Sequence, residues 1–414
     1  MLAGACLHLG GTRGVRWIIR PSRPVAARRG PSLCRVGALA SGGALASASI
    51  SAIAPPVREI DPGLAREFAR ALGPWFAAHQ RDLEWRRTRD PYSIWVSEIM
   101  LQQTRVDTVR SYYRDFLRRF PDVGTLAAAD EESVLQAWSG LGYYRRARLL
   151  HRGARYVYGE LGGEVPATAE ALRKVPGIGR YTAGAIASIA FDRPEPLVDG
   201  NVARVLSRLL DIEDPKLQGA DAAVHWGWAR AILEAGSPRV LAQALMELGA
   251  MVCTPKGPRC GECPTQPSCR AKAAGRESLI PAPKKRSAPT EHELWAVALA
   301  RRGRILMERR PAEGLLASLW CLPLMPRAAD GQRRPRPAEV KAATGIQVRT
   351  VKVDAEAEPV RHVFSHRVWK LWPCTAAVVG DLEAPPGMMW IAAGERPSGG
   401  IPRVTEKVLA RLGY

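Results

Sequence analysis

The stretch Val175-Pro-Gly-Ile-Gly-Arg-Tyr-Thr182 decides how the rest of the chain is read. A helical run, Thr168 to Lys174, precedes it, and an alanine-rich one, Ala183 to Ala190, follows. Gly177 and Gly179 permit a tight hairpin whose backbone approaches a partner closely. The amides opening the second helix point outward with partial positive charge. That geometry binds a phosphate without reading bases. Pro-Gly-x-Gly alone would equally suit an ordinary turn between two helices. The basic composition and a cysteine cluster downstream favour a helix–hairpin–helix.

Outward from the hairpin, residues 59–271 keep a helical period. Leu64, Phe68, Leu72, Trp75 and Phe76 recur at three- and four-residue spacing, as do Val106, Val109, Tyr113, Phe116 and Leu117. Asp90-Pro91, Phe120-Pro121, Ser139-Gly140 and Gly162-Gly163 punctuate the runs. Residues 272–291 turn polar and proline-rich and read as a linker. From 292 to 414 the period changes. Leu294–Leu299, Arg304–Met307, Val348–Val353 and Val368–Val379 read as strands, and Pro337–Ala343 as a helix. This is an α+β domain. At roughly 150 residues per domain, 414 residues make two or three domains. No run is long and apolar enough to span a membrane, so no membrane partner is expected.

Lys plus Arg is 60 against 40 acids, a formal charge of +20 that suggests a polyanionic partner. The charge has two sources. Residues 1–58 hold eight arginines and no acid, the composition of a disordered mitochondrial transit peptide, or otherwise of a basic tail. The remaining 356 residues still carry +12. The first methionine after Met1 is Met100, so an internal start does not yield an intact nuclear form. A nuclear pool would need another transcript or escape from import.

Four of eight cysteines, Cys253, Cys260, Cys263 and Cys269, follow the spacing C-x6-C-x2-C-x5-C. Thiolates gathered so closely call for a metal centre, for disulfides or for neither. Zinc usually takes two close C-x2-C pairs, and only one exists here. A 4Fe–4S cluster tolerates wider loops and is favoured. Cys321 and Cys374 have apolar neighbours and read as core.

Two carboxylates stand out. Glu98 sits within the apolar run Ile94, Trp95, Ile99 and Met100, where burial should raise its pKa and suit a general acid. The bland alternative is a buried ion pair with a distant arginine. Asp199 lies in Val198-Asp-Gly-Asn-Val202, a turn entering a helix. By itself that pattern favours a helix N-cap over a catalytic group.

Hairpin and cysteine cluster, in this order, resemble the endonuclease III superfamily of DNA base-excision glycosylases, from about Glu59 to Arg270 and more weakly to the end. Trp95-Val-Ser-Glu-Ile-Met-Leu-Gln-Gln-Thr104, Gly140-Leu-Gly-Tyr-Tyr-Arg-Arg-Ala-Arg148, the hairpin with Tyr181, and Val198-Asp-Gly-Asn-Val202 are similar to the MutY-type adenine glycosylases. The fold class implied is multidomain: an all-α helix–hairpin–helix glycosylase core with an iron–sulfur cluster, then an α+β Nudix-like domain. The function implied is excision of adenine opposite 8-oxoguanine, or opposite guanine, in double-stranded DNA. The protein is expected to be a monomer, with downstream repair proteins as further partners.

The resemblance implies that Glu98 protonates adenine N7 and that Asp199 stabilises the sugar cation or bonds to it transiently. Asn201 and Tyr181 would orient Asp199 and the sugar. Bifunctional relatives carry a lysine where this chain has Tyr181, so a monofunctional enzyme is implied. Adenine must leave the stack to react. Trp85 and Arg86 would line its pocket. Gln103, Thr104, Leu141 and Tyr143 would contact or wedge the opposite base, and Phe364, Ser365 and His366 would read 8-oxoguanine. Gly177 and Gly179 would meet the DNA backbone. Many relatives carry a lysine where this chain has Ala203, which puts one phosphate or sugar contact in doubt.

Three other readings compete. Tyr181 and the C-terminal domain argue against a same-fold enzyme for pyrimidines. Glu98 and Asp199 argue against a non-catalytic DNA-binding protein. A nucleotide pyrophosphatase would need several acids on one helix, and Pro337–Gly345 holds only Glu339. The chain also lacks a glutamine-rich clamp-binding motif at its end.

Overall fold

The computed structural model describes residues 59–283, 288–327, 334–353, 358–364, 367–380, 383–392, 394–395, 397 and 400–414. The expected transit segment, 1–58, lies outside them. The helical part contains α1 (Pro62–His79), α2 (Pro91–Leu101), α3 (Val106–Arg119), α4 (Val123–Ala128), α5 (Glu131–Ala137) and α6 (Arg145–Glu160). It continues with α7 (Ala169–Leu172), α8 (Arg180–Phe191), α9 (Gly200–Leu210), α10 (Ala223–Glu234), α11 (Pro238–Met251) and α12 (Arg270–Ala273). Asp61, Asp90, Asp122, Asp130 and Asp199 each cap a helix with their side chains, which explains the sharp starts.

Two apolar cores share this region. One gathers Phe68, Leu72, Leu206, Trp228 and Leu245 around α1, α9, α10 and α11. The other gathers Trp95, Phe116, Trp138, Leu150 and Ile186 around α2, α3, α6 and α8. Helices α2 and α8 lie on the seam. Ile94 and Ile189 face the first core, whereas Trp95, Ile99 and Ile186 face the second. A helix apolar on nearly every side belongs in such a place, and this seam positions the candidate acid.

The C-terminal part is a mixed sheet. Its strands are β1 (Thr290–Arg301), β2 (Arg304–Arg309), β3 (Trp320–Cys321), β4 (Leu324–Pro326), β5 (Val348–Val353), β6 (Val360–Val363), β7 (Arg367–Val378) and β8 (Met388–Ala392). The main path runs β3-β2-β1-β7-β5, with β4 on β1, β6 on β7 and β8 on β2. The central pair, β1 and β7, is parallel from Thr290 opposite Arg367 to Ala300 opposite Ala377. Alternate residues of β1 feed opposite faces. Ala296 and Ala298 join Val404 and Val408 of α14 (Arg403–Arg411), while Trp295, Val297 and Leu299 join Val340 of α13 (Pro337–Thr344). Burial on both faces turns the strand into the near-continuous apolar run seen in its sequence. Cys321 and Cys374 are buried, as expected.

Two expectations change. The first half of the presumed linker is packed. Ile280 joins the first helical core, and Arg276 pairs with Asp211 and Glu213. One apolar side chain within a polar stretch sufficed to dock it. Strands β3, β4, β6 and β8 and helix α14 were not foreseen. β3 has two residues and β4 three, too few for a period to show. The C-terminal part also touches the helical one. Leu319 enters the second helical core, and Arg148 donates to the carbonyl of Ala317 at 2.7 Å. No helix among the described residues is long and apolar enough to cross a membrane.

Gly184 tests the packing of α8. A Cβ there would stand 2.0 Å from the carbonyl oxygen of Pro196, which leads into Asp199. Gly184→Ala should lower stability by about 1–3 kcal/mol, read as a lower thermal midpoint. An unchanged midpoint would show that α8 has room to shift.

Candidate active site

Glu98 lies in the third turn of α2 and is 5% exposed. Its Oε2 accepts a hydrogen bond from the Tyr181 hydroxyl at 3.0 Å. Burial pushes its carboxyl up to about 7, against the pull of the Tyr181 hydroxyl; Asp199 adds to the rise and Arg86 opposes it. The sequence suggested partial desolvation, and the seam makes it nearly complete. Tyr181, expected to orient Asp199, instead addresses Glu98, and also donates toward Met246 Sδ at 3.2 Å. It reaches Glu98 because α8 crosses α2 directly.

Asp199 caps α9. Its Oδ1 accepts from the backbone N–H of Asn201 at 2.9 Å and of Val202 at 2.8 Å, and its Oδ2 from Asn201 Nδ2 at 2.9 Å. The cap and the candidate catalytic group are therefore one side chain, and the two readings of Asp199 do not exclude each other. Asn201 is held in turn, because its Oδ1 accepts from Arg204 Nη2 at 3.0 Å. That contact orients the amide with its N–H toward Asp199.

Both carboxylates open on one cleft of about 940 Å³, bordered also by Trp85, Arg86 and Tyr181. Trp85 is buried and meets Tyr113 edge-on at 5.3 Å. Arg86 forms a two-pronged pair with Glu247, Nη1 to Oε1 at 2.9 Å and Nη2 to Oε2 at 2.8 Å. Arg81 grips the same carboxylate, Nε to Oε1 at 3.0 Å and Nη2 to Oε2 at 2.6 Å. Burial opposes ionisation of Glu247, but hydrogen bonds from Arg86 and Arg81 outweigh it and hold the carboxyl at about 2. Two buried carboxyls in one cleft are thus pushed in opposite directions, Glu98 up by burial and Glu247 down by its two guanidinium partners. The sequence reading missed Glu247 and Arg81. Glu247 carries the signal that found Glu98, an acid within an apolar helical run (Leu241, Leu245, Leu248). Arg81 carries none.

Residues 96–225 match the HhH-GPD superfamily of base excision DNA repair proteins, and residues 294–411 match the NUDIX domain. The adenine DNA glycosylase of Rattus norvegicus is 36% identical over 397 residues, covering 82% of this chain and 77% of the rat protein. That of Homo sapiens is 36% identical, covering 82% of this chain and 73% of its own length. The chain belongs to the adenine DNA glycosylases. A solved thermostable thymine-DNA glycosylase overlays 51% of this chain and 98% of its own, with a TM-score of 0.47 and 26% identity.

Other positions matching the adenine glycosylase pattern divide. Gln103, at φ 58, and Thr104 border the cleft just beyond α2. Tyr143, at φ 49, is half exposed. Leu141 is 6% exposed and packs into the second helical core. Ala203 is buried in the first core. Gly177 has φ 87, and a Cβ there would sit 2.8 Å from Leu149 Cβ. Gly179 has open space at the start of α8. Phe364 packs edge-on against His362 at 4.6 Å and Trp369 at 5.0 Å. Ser365 and His366 lie outside the described residues. Glu339 accepts from the backbone N–H of Arg336 at 2.8 Å, so it closes its own helix.

Cys253, Cys260, Cys263 and Cys269 carry free thiols and border one cavity between α9 and the loop after α11. Arg208 Nη1 points at Cys253 Sγ from 3.3 Å, a cation placed to balance thiolate charge. Among the described residues no three His, Cys, Asp or Glu side chains close on a single metal position. Four cysteines bordering one cavity are a donor set that fits a thiolate-held metal group.

Asn caps a helix about as well as Asp. Asp199→Asn should therefore keep its thermal midpoint while losing adenine excision. A large drop in the midpoint would make loss of activity a folding effect.

Proposed function

We propose that this adenine DNA glycosylase hydrolyses the N-glycosidic bond of adenine opposite 8-oxoguanine, and also opposite guanine, in duplex DNA. The observation that carries the reading is the carboxyl pair of the cleft. Glu98 keeps a substantial protonated fraction at neutral pH because burial raises its carboxyl to about 7, while Asp199 is fixed by three N–H donors within reach of its field. Breaking the bond needs a proton on the departing base and an anion beside the oxocarbenium-like sugar. Glu98 supplies the proton to adenine N7. Asp199 supplies the anion, and water completes hydrolysis at the anomeric carbon. Tyr181 has no amine and forms no Schiff base, so the strand is left uncut.

Flipping the base costs a few kcal/mol, and the cleft returns part of that through Trp85 and the anchored Arg86. Phe364, with Ser365 and His366, would read the opposite base; an aromatic stacks while Ser and His offer hydrogen bonds. The four cysteines would hold a 4Fe–4S cluster, which pins the loop after α11 to α9. The arginine-rich residues 1–58 support delivery to mitochondria, with a nuclear pool as a second address.

The deciding assay incubates the protein with duplexes carrying adenine opposite 8-oxoguanine or opposite guanine. Alkali-labile sites in both are expected; their absence from both would overturn the reading. The rate should fall about tenfold per pH unit once Glu98 deprotonates above about 7. Tyr181→Phe removes a donor that favours the ionised form, so this basic limb should move to higher pH. A limb that stays put would disconnect it from Glu98. Purified protein should contain about four irons per chain and absorb visible light; zinc in place of iron would reject the cluster.

A further inference from the structure

Arg146 takes no part in the chemistry above, yet its guanidinium is buried, 8% exposed, in the first turn of α6. Nη1 donates to the carbonyls of Ile99 and Met100, each at 2.9 Å, and of Gln102. Nη2 donates to Thr104 Oγ1 at 3.1 Å, to the carbonyl of Gly142 at 3.2 Å and to that of Leu141 at 3.4 Å. The group also lies over the rings of Trp138 and Tyr143, at 5.4 and 5.5 Å.

The acceptors come from three places. Ile99, Met100 and Gln102 hold carbonyls at the C-terminal end of α2, where a helix leaves them without partners and where a cation is favoured. Thr104 follows the left-handed corner at Gln103, and Leu141 and Gly142 precede the one at Tyr143. One cation therefore ties the end of the helix carrying Glu98 to the corners at Gln103 and Tyr143, the two segments that the proposed reading sets beside the opposite base. Two residues on, Arg148 holds the C-terminal part through the Ala317 carbonyl and pairs with Glu131 at 2.9 Å.

We propose that Arg146 is a positioning residue that couples recognition of the opposite base to the placement of Glu98. The inference rests on the reading of adenine opposite 8-oxoguanine given above. Six acceptors share the N–H groups of one planar fork, so neither corner shifts without pulling on the carbonyls of α2. An opposite base that fits both corners holds Glu98 on adenine. One that fits poorly displaces it, and a shift of about 1 Å lowers a rate by about a hundredfold. A lysine brings one point charge and does not span the three segments.

The test compares single-turnover excision opposite 8-oxoguanine and opposite guanine in the wild type and Arg146→Lys. The variant should lose about tenfold more rate opposite 8-oxoguanine than opposite guanine. Its pH limb should stay in place, because Tyr181, Asp199 and Arg86, the groups that act on the Glu98 carboxyl, are untouched. Equal losses on both duplexes would overturn the coupling and leave Arg146 merely structural. A second measurement needs neither a variant nor turnover. It follows amide hydrogen exchange in the wild type on binding 8-oxoguanine opposite a non-hydrolysable adenosine analogue. Residues 99–104 and 140–144 should slow together; slowing of 140–144 alone would overturn the proposal. A wild type that excises adenine from neither duplex would sink the glycosylase reading, and the exchange result would still decide the coupling.

Discussion

Everything at the candidate active site depends on a carboxyl that is almost wholly buried at the edge of the cleft. Glu98 is kept from solvent because α2 runs along the seam between two apolar cores, with Ile94 committed to one and Trp95 to the other. A surface glutamate would be ionised at neutral pH and of little use as an acid. The seam raises the carboxyl to about 7, while the Tyr181 hydroxyl limits the rise. The architecture of the helical part is thus the source of the acid, and the cleft is where the two cores part.

The same cleft shows that burial alone does not set a protonation state. Glu247 is 1% exposed, less than Glu98, yet stays ionised because two guanidinium groups converge on it. Glu98 has a neutral hydroxyl and a neighbouring carboxylate in their place. Buried ion pairs are weak contributors to stability, but breaking one exposes an uncompensated charge. Their value here is geometric. The pair with Glu247 fixes Arg86 in place, and its pull on Glu98 stays smaller than the effect of burial.

What the sequence disclosed and what it hid follow from range. The hairpin at Gly177, the cap at Asp199 and the cysteine loop are local, since each is completed within a few residues. Their roles could be argued from residue type and spacing. The Arg86–Glu247 pair spans 161 residues and the Tyr181–Glu98 contact spans 83, so no local pattern announces either. The burial of Leu141 is hidden for a related reason. An apolar residue in a glycine-rich turn is core or surface, and only the depth of Trp138 and Tyr144 beside it decides. The strands of the C-terminal sheet were legible where burial on both faces left long apolar runs, and lost where pairing lasted two or three residues.

Net charge is the property that the structure revises most. A positive excess invites a picture of arginines along a DNA backbone. Arg146, Arg204 and Arg208 instead face inward, and backbone carbonyls are among the partners of each. They act as cross-links between helix ends and loops, a use that suits guanidinium because its fork satisfies several acceptors at once. Part of the excess is therefore structural, because these three guanidinium groups are engaged in cross-links inside the helical part. Selectivity must then come from where side chains are held. That places the weight on cations such as Arg146 that fix geometry without touching a phosphate.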